Sequence, residues 1–287
     1  MNKMKIRHTI LAAMMSLASY TISGQTVADS IAIVSAHWEV TAVSKGIVHK
    51  CASFSSLYKG NQHVNVVEVA PDAKVRYGIA ASGQMKQTSL IAQENGALAA
   101  INGSYYNMKK GNSVCYFRVG KEVIDTTLTS EFDLRVTGAL HTHKGNVKFI
   151  PWSPRVEERY RQRKGTILAS GPLLLDDGEL CDWKSCGTSF INNKHPRSAI
   201  FRTKDGRIVF ITVDGRSPGN AAGVSIPELA HLVRVLGGYD ALNLDGGGST
   251  TLWTEAQGIT NCPSDNKKFD HQGERKVANI IYVAPRK

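Results

Sequence analysis

Apolar and polar residues alternate along much of this chain with the two-residue period of half-buried strands. The stretch HVNVVEVA (63–70) does so most cleanly, and VRYGIAA continues it after a PDAK turn. TSLIAQEN (88–95) changes to a helical pattern that Gly96 closes, after which ALAAING reads as a strand ending at Asn102 and Gly103. Between residues 113 and 150 the alternating runs are short and broken by glycine, which predicts hairpins outside the most buried sheet. Further on, TILASGPLLLDDGEL gives a strand, a Gly171-Pro172 break and a turn, and SAIFRTKDGRIVFITV gives a hairpin about Asp205-Gly206. A helix follows in SIPELAHLVRVLGG. Ser225 and Glu228 form a capping box, Leu229, Leu232, Val233 and Leu236 make the apolar stripe, and Gly237 stops it. The strand ALNL then runs into Asp245, and a last strand covers 277–284. No repeat or linker divides these elements. The expected fold is α+β, or mixed α/β: one domain with a mixed twisted sheet, flanking helices, a βαβ unit near the C-terminus and peripheral hairpins.

The first residues follow another pattern. Lys3, Lys5 and Arg7 precede an apolar run over 10–18, with small and polar residues through Ser23 and Gly24. This reads as a secretory signal peptide over 1–24, too short to span a bilayer, then a lead-in over 25–42 and the main domain over 43–287. The mature protein is therefore expected in the periplasm or outside the cell, with no transmembrane segment. Losing the leader lowers the formal charge from +11 to +8, so anionic partners are favoured. Nucleic acid is not expected, because the densest basic cluster, RVEERYRQRK (155–164), mixes both signs and reads as a solvated helix face. Phosphorylated or acidic glycans fit a secreted basic protein better. Of five cysteines, Cys51, Cys115, Cys181, Cys186 and Cys262, the pair in CDWKSC could close a short loop; the rest read as buried thiols, and their spacing matches no zinc pattern.

The chemistry concentrates where apolar runs end in polar residues and glycine. In ALNLDGGGSTTLW, Asp245 is followed by Gly246, Gly247, Gly248, Ser249, Thr250 and Thr251. Three residues without Cβ can turn successive N–H groups into one anion-binding concavity, although a tight turn with a capping aspartate uses the same residues. Asp214 ends the preceding strand, and in a βαβ unit its strand and that of Asp245 run parallel, so both acids open on one rim, about 5 Å apart if the strands are neighbours and about 10 Å if one intervenes. Asn102 and Gly103, Ser170 and Gly171, His195 and Arg197, and Arg216 repeat the design, with guanidinium groups suited to phosphate. Paired aspartates beside a phosphate could also hold calcium or magnesium, but the arginines already supply positive charge, and no metal or other cofactor is required. His141 and His143 share a strand face without a third ligand, and His231 lies off the stripe of its helix.

The segments AAINGSYYN, ILASGPLLL, HPRSAI and VDGRSPGNAAGVSIPELAHLVRVLGGYDALNLDGGGSTTLW resemble, in that order, the motifs of the phosphodiester glycosidase family, over roughly residues 43–285. The resemblance implies hydrolysis of a sugar 1-phosphodiester to free sugar and phosphomonoester. Asp245 or Asp214 would be the catalytic carboxylate, with Asp245 favoured because it abuts the glycines, and Arg197 with residues 246–249 would hold the phosphate. Asn102 and Ser170 would orient phosphate or sugar. A non-catalytic glycan- or phosphate-binding protein and a phosphodiesterase cutting P–O are the alternatives. Phe201 departs from many relatives, which carry a small residue there.

Overall fold

The computed structural model describes residues 26–161 and 163–286, so the expected leader lies outside the described residues. An eight-stranded sheet is the middle layer. From edge to edge it runs Glu39–Ser44, Ile47–Phe54, Gln62–Val69, Ile208–Val213, Arg197–Thr203, Gly238–Asn243, Leu173–Asp176 and Glu179–Leu180. Strict alternation divides its central side chains. Ala199, Phe201, Val209, Ile211 and Ala241 face a core shared with the helix Ile226–Val235, whereas Ile200, Phe210 and Leu242 face a second core shared with two five-stranded sheets. Phe201 is buried and lines a pocket with Trp38, Val66 and Leu236.

The expected βαβ unit is present, but with a strand inserted. Ile208–Val213 and Gly238–Asn243 both pair antiparallel with Arg197–Thr203, so they run parallel to each other without sharing a hydrogen bond. The hairpin centred on Asp205-Gly206 brings in that middle strand. Every pairing between named strands is antiparallel, in three sheets where the sequence suggested one mixed sheet. With one strand between them, the ends of the parallel pair lie about 10 Å apart.

The lead-in is more ordered than its sequence suggested. A helix at Val27–Val34 starts with a Thr26/Asp29 capping box, and Asp29 also accepts the Tyr58 N–H at 2.9 Å. His231 ties this segment to the main helix: its Nδ1 lies 2.7 Å from the Tyr58 hydroxyl and its Nε2 3.0 Å from Ser30 Oγ. No helix among the described residues is long and apolar enough to cross a membrane.

The expected Cys181–Cys186 bridge is not formed, and all five cysteines are free. The two thiols serve different cores. Cys186 is buried with the helix-side cluster, while Cys181 packs against the cluster on the other face of the sheet.

The Ser225/Glu228 capping box is present as expected, with Ser225 accepting the Glu228 N–H and Glu228 Oε2 accepting the Ser225 N–H at 2.8 Å. Ser225→Ala should cost about 1 kcal/mol in urea denaturation; unchanged stability would mean the cap does not hold this helix.

Candidate active site

The loop after Gly238–Asn243 is fixed by one buried amide. Asn102 Nδ2 donates to the Asp245 carbonyl at 2.7 Å, and its Oδ1 accepts from Ser198 Oγ at 2.7 Å and from the Thr251 N–H at 3.1 Å. The Gly103 carbonyl accepts the Asp245 N–H at 3.0 Å. One strand end of a five-stranded sheet therefore clamps both ends of the glycine loop, and Asn102 uses its polar atoms on protein, with none left to orient a ligand. Ser170 and Gly171 have similar duties: Ser170 Oγ donates to the Asn243 carbonyl, and the Gly171 carbonyl accepts from Tyr105 Oη at 2.6 Å and Asn243 Nδ2 at 2.7 Å.

The amide nest expected of Gly246, Gly247, Gly248, Ser249 and Thr250 is largely spent inside the protein. Gly246 N–H binds the Asp245 carboxylate at 2.9 Å, Gly247 N–H the Pro196 carbonyl, Ser249 N–H the Gly246 carbonyl and Thr250 N–H the Gly247 carbonyl. The glycines serve instead to admit arginines. Gly247 has φ +62°, and a Cβ there would lie 2.9 Å from Arg216 Nη2. A Cβ on Gly248 would overlap the Arg275 guanidinium and the Asp265 carboxylate that pairs with it through two hydrogen bonds. Side-chain volume is removed from the loop and refilled by cations from elsewhere in the chain.

Three arginines act on Asp245 electrostatically, and a fourth lies against the loop that follows it. Arg135 and Arg275 both draw its carboxyl downward, Arg197 is held up by it, and Arg216 lies against Gly247 with Nη2 3.5 Å from His195 Nδ1. Burial is the strongest influence on Asp245 and wins: the carboxyl is raised above the ordinary 3.8, against the opposing pull of Ser249, Arg135, the Gly246 N–H and Arg275. The residue as a whole is part-buried. Arg135 stacks on Tyr105, its Cζ 3.6 Å from the ring centroid, and forms an ion pair with Glu131 at 2.7 Å. Tyr106 Oη, 3.4 Å from Ser249 Oγ, completes the rim.

Arg197 is more of a strut than the sequence suggested. Its Nε donates to the Val224 carbonyl at 3.1 Å and its Nη2 to the Phe190 and Asn193 carbonyls, both at 2.9 Å, while burial pushes the guanidinium down to about 10. Asp214 is not paired with Asp245. Only 1 % exposed, it accepts from His63 Nδ1 at 2.8 Å, Asn261 Nδ2 at 3.0 Å and the Cys262 N–H at 3.0 Å. Those donors come from distant parts of the chain, so its strand-end position did not reveal them. His63, Asp214 and Cys262 hold their potential ligand atoms within 4.8 Å of one another. Cys262 is no free nucleophile: burial, then Asp214, push its thiol up to about 12. Glu228 caps its helix and pairs with Lys194, and His141 and His143 stack together without a third ligand.

The family model for phosphodiester glycosidases matches residues 95–284, which include Asn102, Asp214, the glycine loop and all four arginines. The chain belongs to the phosphodiester glycosidase family. Among curated relatives, N-acetylglucosamine-1-phosphodiester alpha-N-acetylglucosaminidase of Bos taurus is 20% identical over 72% of this chain and 40% of its own length, and that of Mus musculus 24% identical over 66% and 38%. A SPbeta prophage-derived uncharacterized protein, YomE, of Bacillus subtilis is 42% identical over 71 residues, 25% of this chain and 11% of its own length. The chain thus spans about two fifths of the mammalian relatives. The zebrafish catalytic domain of the same glucosaminidase, in a structure titled as auto-inhibited by its pro-peptide, has a similar fold, with a TM-score of 0.65 at 17% identity covering 86% of this chain and 88% of that one. A hypothetical protein from Synechocystis follows at 0.57 and 16% identity, covering 86% of this chain and 63% of that one.

In this phosphodiester glycosidase domain the raised Asp245 carboxyl has a stability consequence. The folded state holds that proton more tightly than the unfolded chain, so stability is fully present below 3.8 and is lost as pH rises through the folded value. Asp245→Asn should therefore melt at a higher temperature than the parent at neutral pH, with the difference closing below pH 3.8. A lower melting temperature at neutral pH would show that the arginines outweigh burial.

Proposed function

We propose that this chain is a secreted glycosidase that hydrolyses a sugar 1-phosphodiester, releasing free sugar and a phosphomonoester. The observation that carries this reading is the Asp245 carboxyl, raised by burial and within electrostatic reach of Arg135, Arg197 and Arg275, beside a loop against which Arg216 lies. An anomeric C–O bond with an ordinary alcohol as leaving group calls for two carboxyl groups, one of them a general acid. A phosphate leaves as a stabilised anion, so the arginine ring can replace that acid by neutralising charge as the bond breaks. The other carboxylates nearby are engaged: Asp214 and Glu228 in internal hydrogen bonds, Glu131 and Asp265 in ion pairs with Arg135 and Arg275.

In this mechanism the phosphodiester sits against the solvent-reaching guanidinium groups of Arg216, Arg135 and Arg275. Asp245 lies beside the anomeric carbon, stabilises positive charge there and takes a proton from the incoming water. A carboxylate raised by burial is a better base than an exposed one. The leader pattern and the basic charge favour an extracytoplasmic glycan as substrate, and the similarity to the glucosaminidases makes an N-acetylglucosamine 1-phosphodiester the first compound to try.

Two outcomes test the proposal. On an alkyl or aryl N-acetylglucosamine 1-phosphodiester, Asp245→Asn should lower kcat by about 10²–10⁴-fold while retaining substrate binding. The parent's rate should fall on the acid side with a midpoint above 3.8, the ordinary carboxylate value. Retained turnover in Asp245→Asn would remove Asp245 from the chemistry, and the absence of turnover in the parent would favour a binding protein. Arg216, which is exposed, can be tested separately: Arg216→Ala should raise KM with stability within about 0.5 kcal/mol of the parent. An unchanged KM would place the phosphate elsewhere.

A further inference from the structure

The face of the central sheet that packs on the five-stranded sheets is apolar along most of its length and polar at one end. Alternation puts His63 and Asn65 on one strand, and Thr212 and Asp214 on the next, in that polar end, where Thr212 pairs with Asn65. Cys262 and Asn261 approach from the segment after Gly258–Ile259. A nitrogen, a sulfur and a carboxylate oxygen, from residues 63, 262 and 214, meet there within 4.8 Å, outside the arginine ring.

We propose that His63 Nδ1, Asp214 Oδ2 and Cys262 Sγ bind a zinc ion. Ligand atoms around tetrahedral zinc stand about 3.5 Å apart, given bonds of about 2.0–2.3 Å. The present spacings bracket that figure, since His63 and Asp214 lie 2.8 Å apart and no pair exceeds 4.8 Å. Side-chain movements of up to about 1 Å would bring the three atoms to tetrahedral spacing. On binding, the metal replaces the Cys262 thiol proton, which leaves to solvent, and His63 binds as the neutral ring.

The donor set selects the metal. Calcium and magnesium take oxygen ligands, whereas a mixed thiolate, imidazole and carboxylate set suits zinc. The surroundings fit as well. Asp214 Oδ1 accepts from Asn261 Nδ2, the outer hydrogen bond that orients a metal-bound carboxylate. Thr212 Oγ1 and Thr250 Oγ1 are buried hydroxyls without a partner. Thr212 sits two residues before Asp214 on the same strand face, and the Thr250 carbonyl shares Asn261 Nδ2 with Asp214. A water would take the fourth metal position. His63, at 16 % side-chain exposure, is the way in, against Asp214 at 1 %. Because Asn261 links Asp214 to the Thr250 carbonyl, the ion would brace the glycine loop from behind, in a structural role.

Cobalt(II) provides a readout independent of activity. Full-length protein treated with a chelator and then titrated with cobalt(II) should take up one ion per chain, with tetrahedral d–d bands and a near-ultraviolet thiolate-to-cobalt charge-transfer band. Zinc should displace it. Cys262→Ser should abolish the charge-transfer band, and His63→Ala should weaken zinc binding by more than about 100-fold, beyond the loss typical of an outer-shell change. Absence of the charge-transfer band in the parent would overturn the site, and that result needs no variant to fold. Zinc affinity unchanged in Cys262→Ser and His63→Ala, or lost only in His143→Ala at the stacked surface pair, would overturn it equally.

Discussion

The candidate site depends on the hydrogen bonds of Asn102. Its amide holds the Asp245 carbonyl, the Thr251 N–H and the Ser198 hydroxyl at once, in a position with no solvent exposure. These contacts join a five-stranded sheet to the central sheet and fix where the glycine loop leaves and returns. An unmade hydrogen bond here would leave a buried polar group unsatisfied, at a cost of about 1–3 kcal/mol each, so the loop has little freedom to relax. Asp245 is held by its backbone, and its carboxylate is engaged by the Gly246 N–H and Ser249.

From that fixed point the electrostatics follow. Burial favours the protonated carboxyl, and the arginines favour the ionised one, so Asp245 is poised between the two influences. Gly247 and Gly248 make room for arginines by subtraction, since a Cβ on either would displace Arg216 or Arg275. Arg197 feels the charges of Arg135 and Arg216, whereas Arg135 and Arg275 are balanced by Glu131 and Asp265.

Much of this was legible in the chain. Strand alternation, the capping box at Ser225 and Glu228, and the polar ends of apolar runs located most elements of the sheets and put Asp245, Arg216 and the glycine loop at a strand-end rim. Three things were not legible. The strand Arg197–Thr203 inserts between the parallel pair because of hairpin topology, which periodicity does not encode. Arg135 and Arg275 sit in no motif and reach Asp245 only through folding, so their sole sequence signal is the excess of basic residues. Asp214 stands at a strand end just as Asp245 does, yet His63 and Asn261, 151 and 47 residues away, turn it into an internal acceptor. Equivalent positions in the sequence acquired opposite duties from their distant neighbours.

The central claim is that phosphate is the leaving group and that the bond broken is the one to the anomeric carbon. Hydrolysis of a sugar 1-phosphodiester in ¹⁸O-labelled water, with mass analysis of both products, tests it directly. The account requires the label in the anomeric hydroxyl of the released sugar and an unlabelled phosphomonoester. Label in the phosphate with an unlabelled sugar would mean that water attacks phosphorus, and would contradict the role given to Asp245 and its arginines.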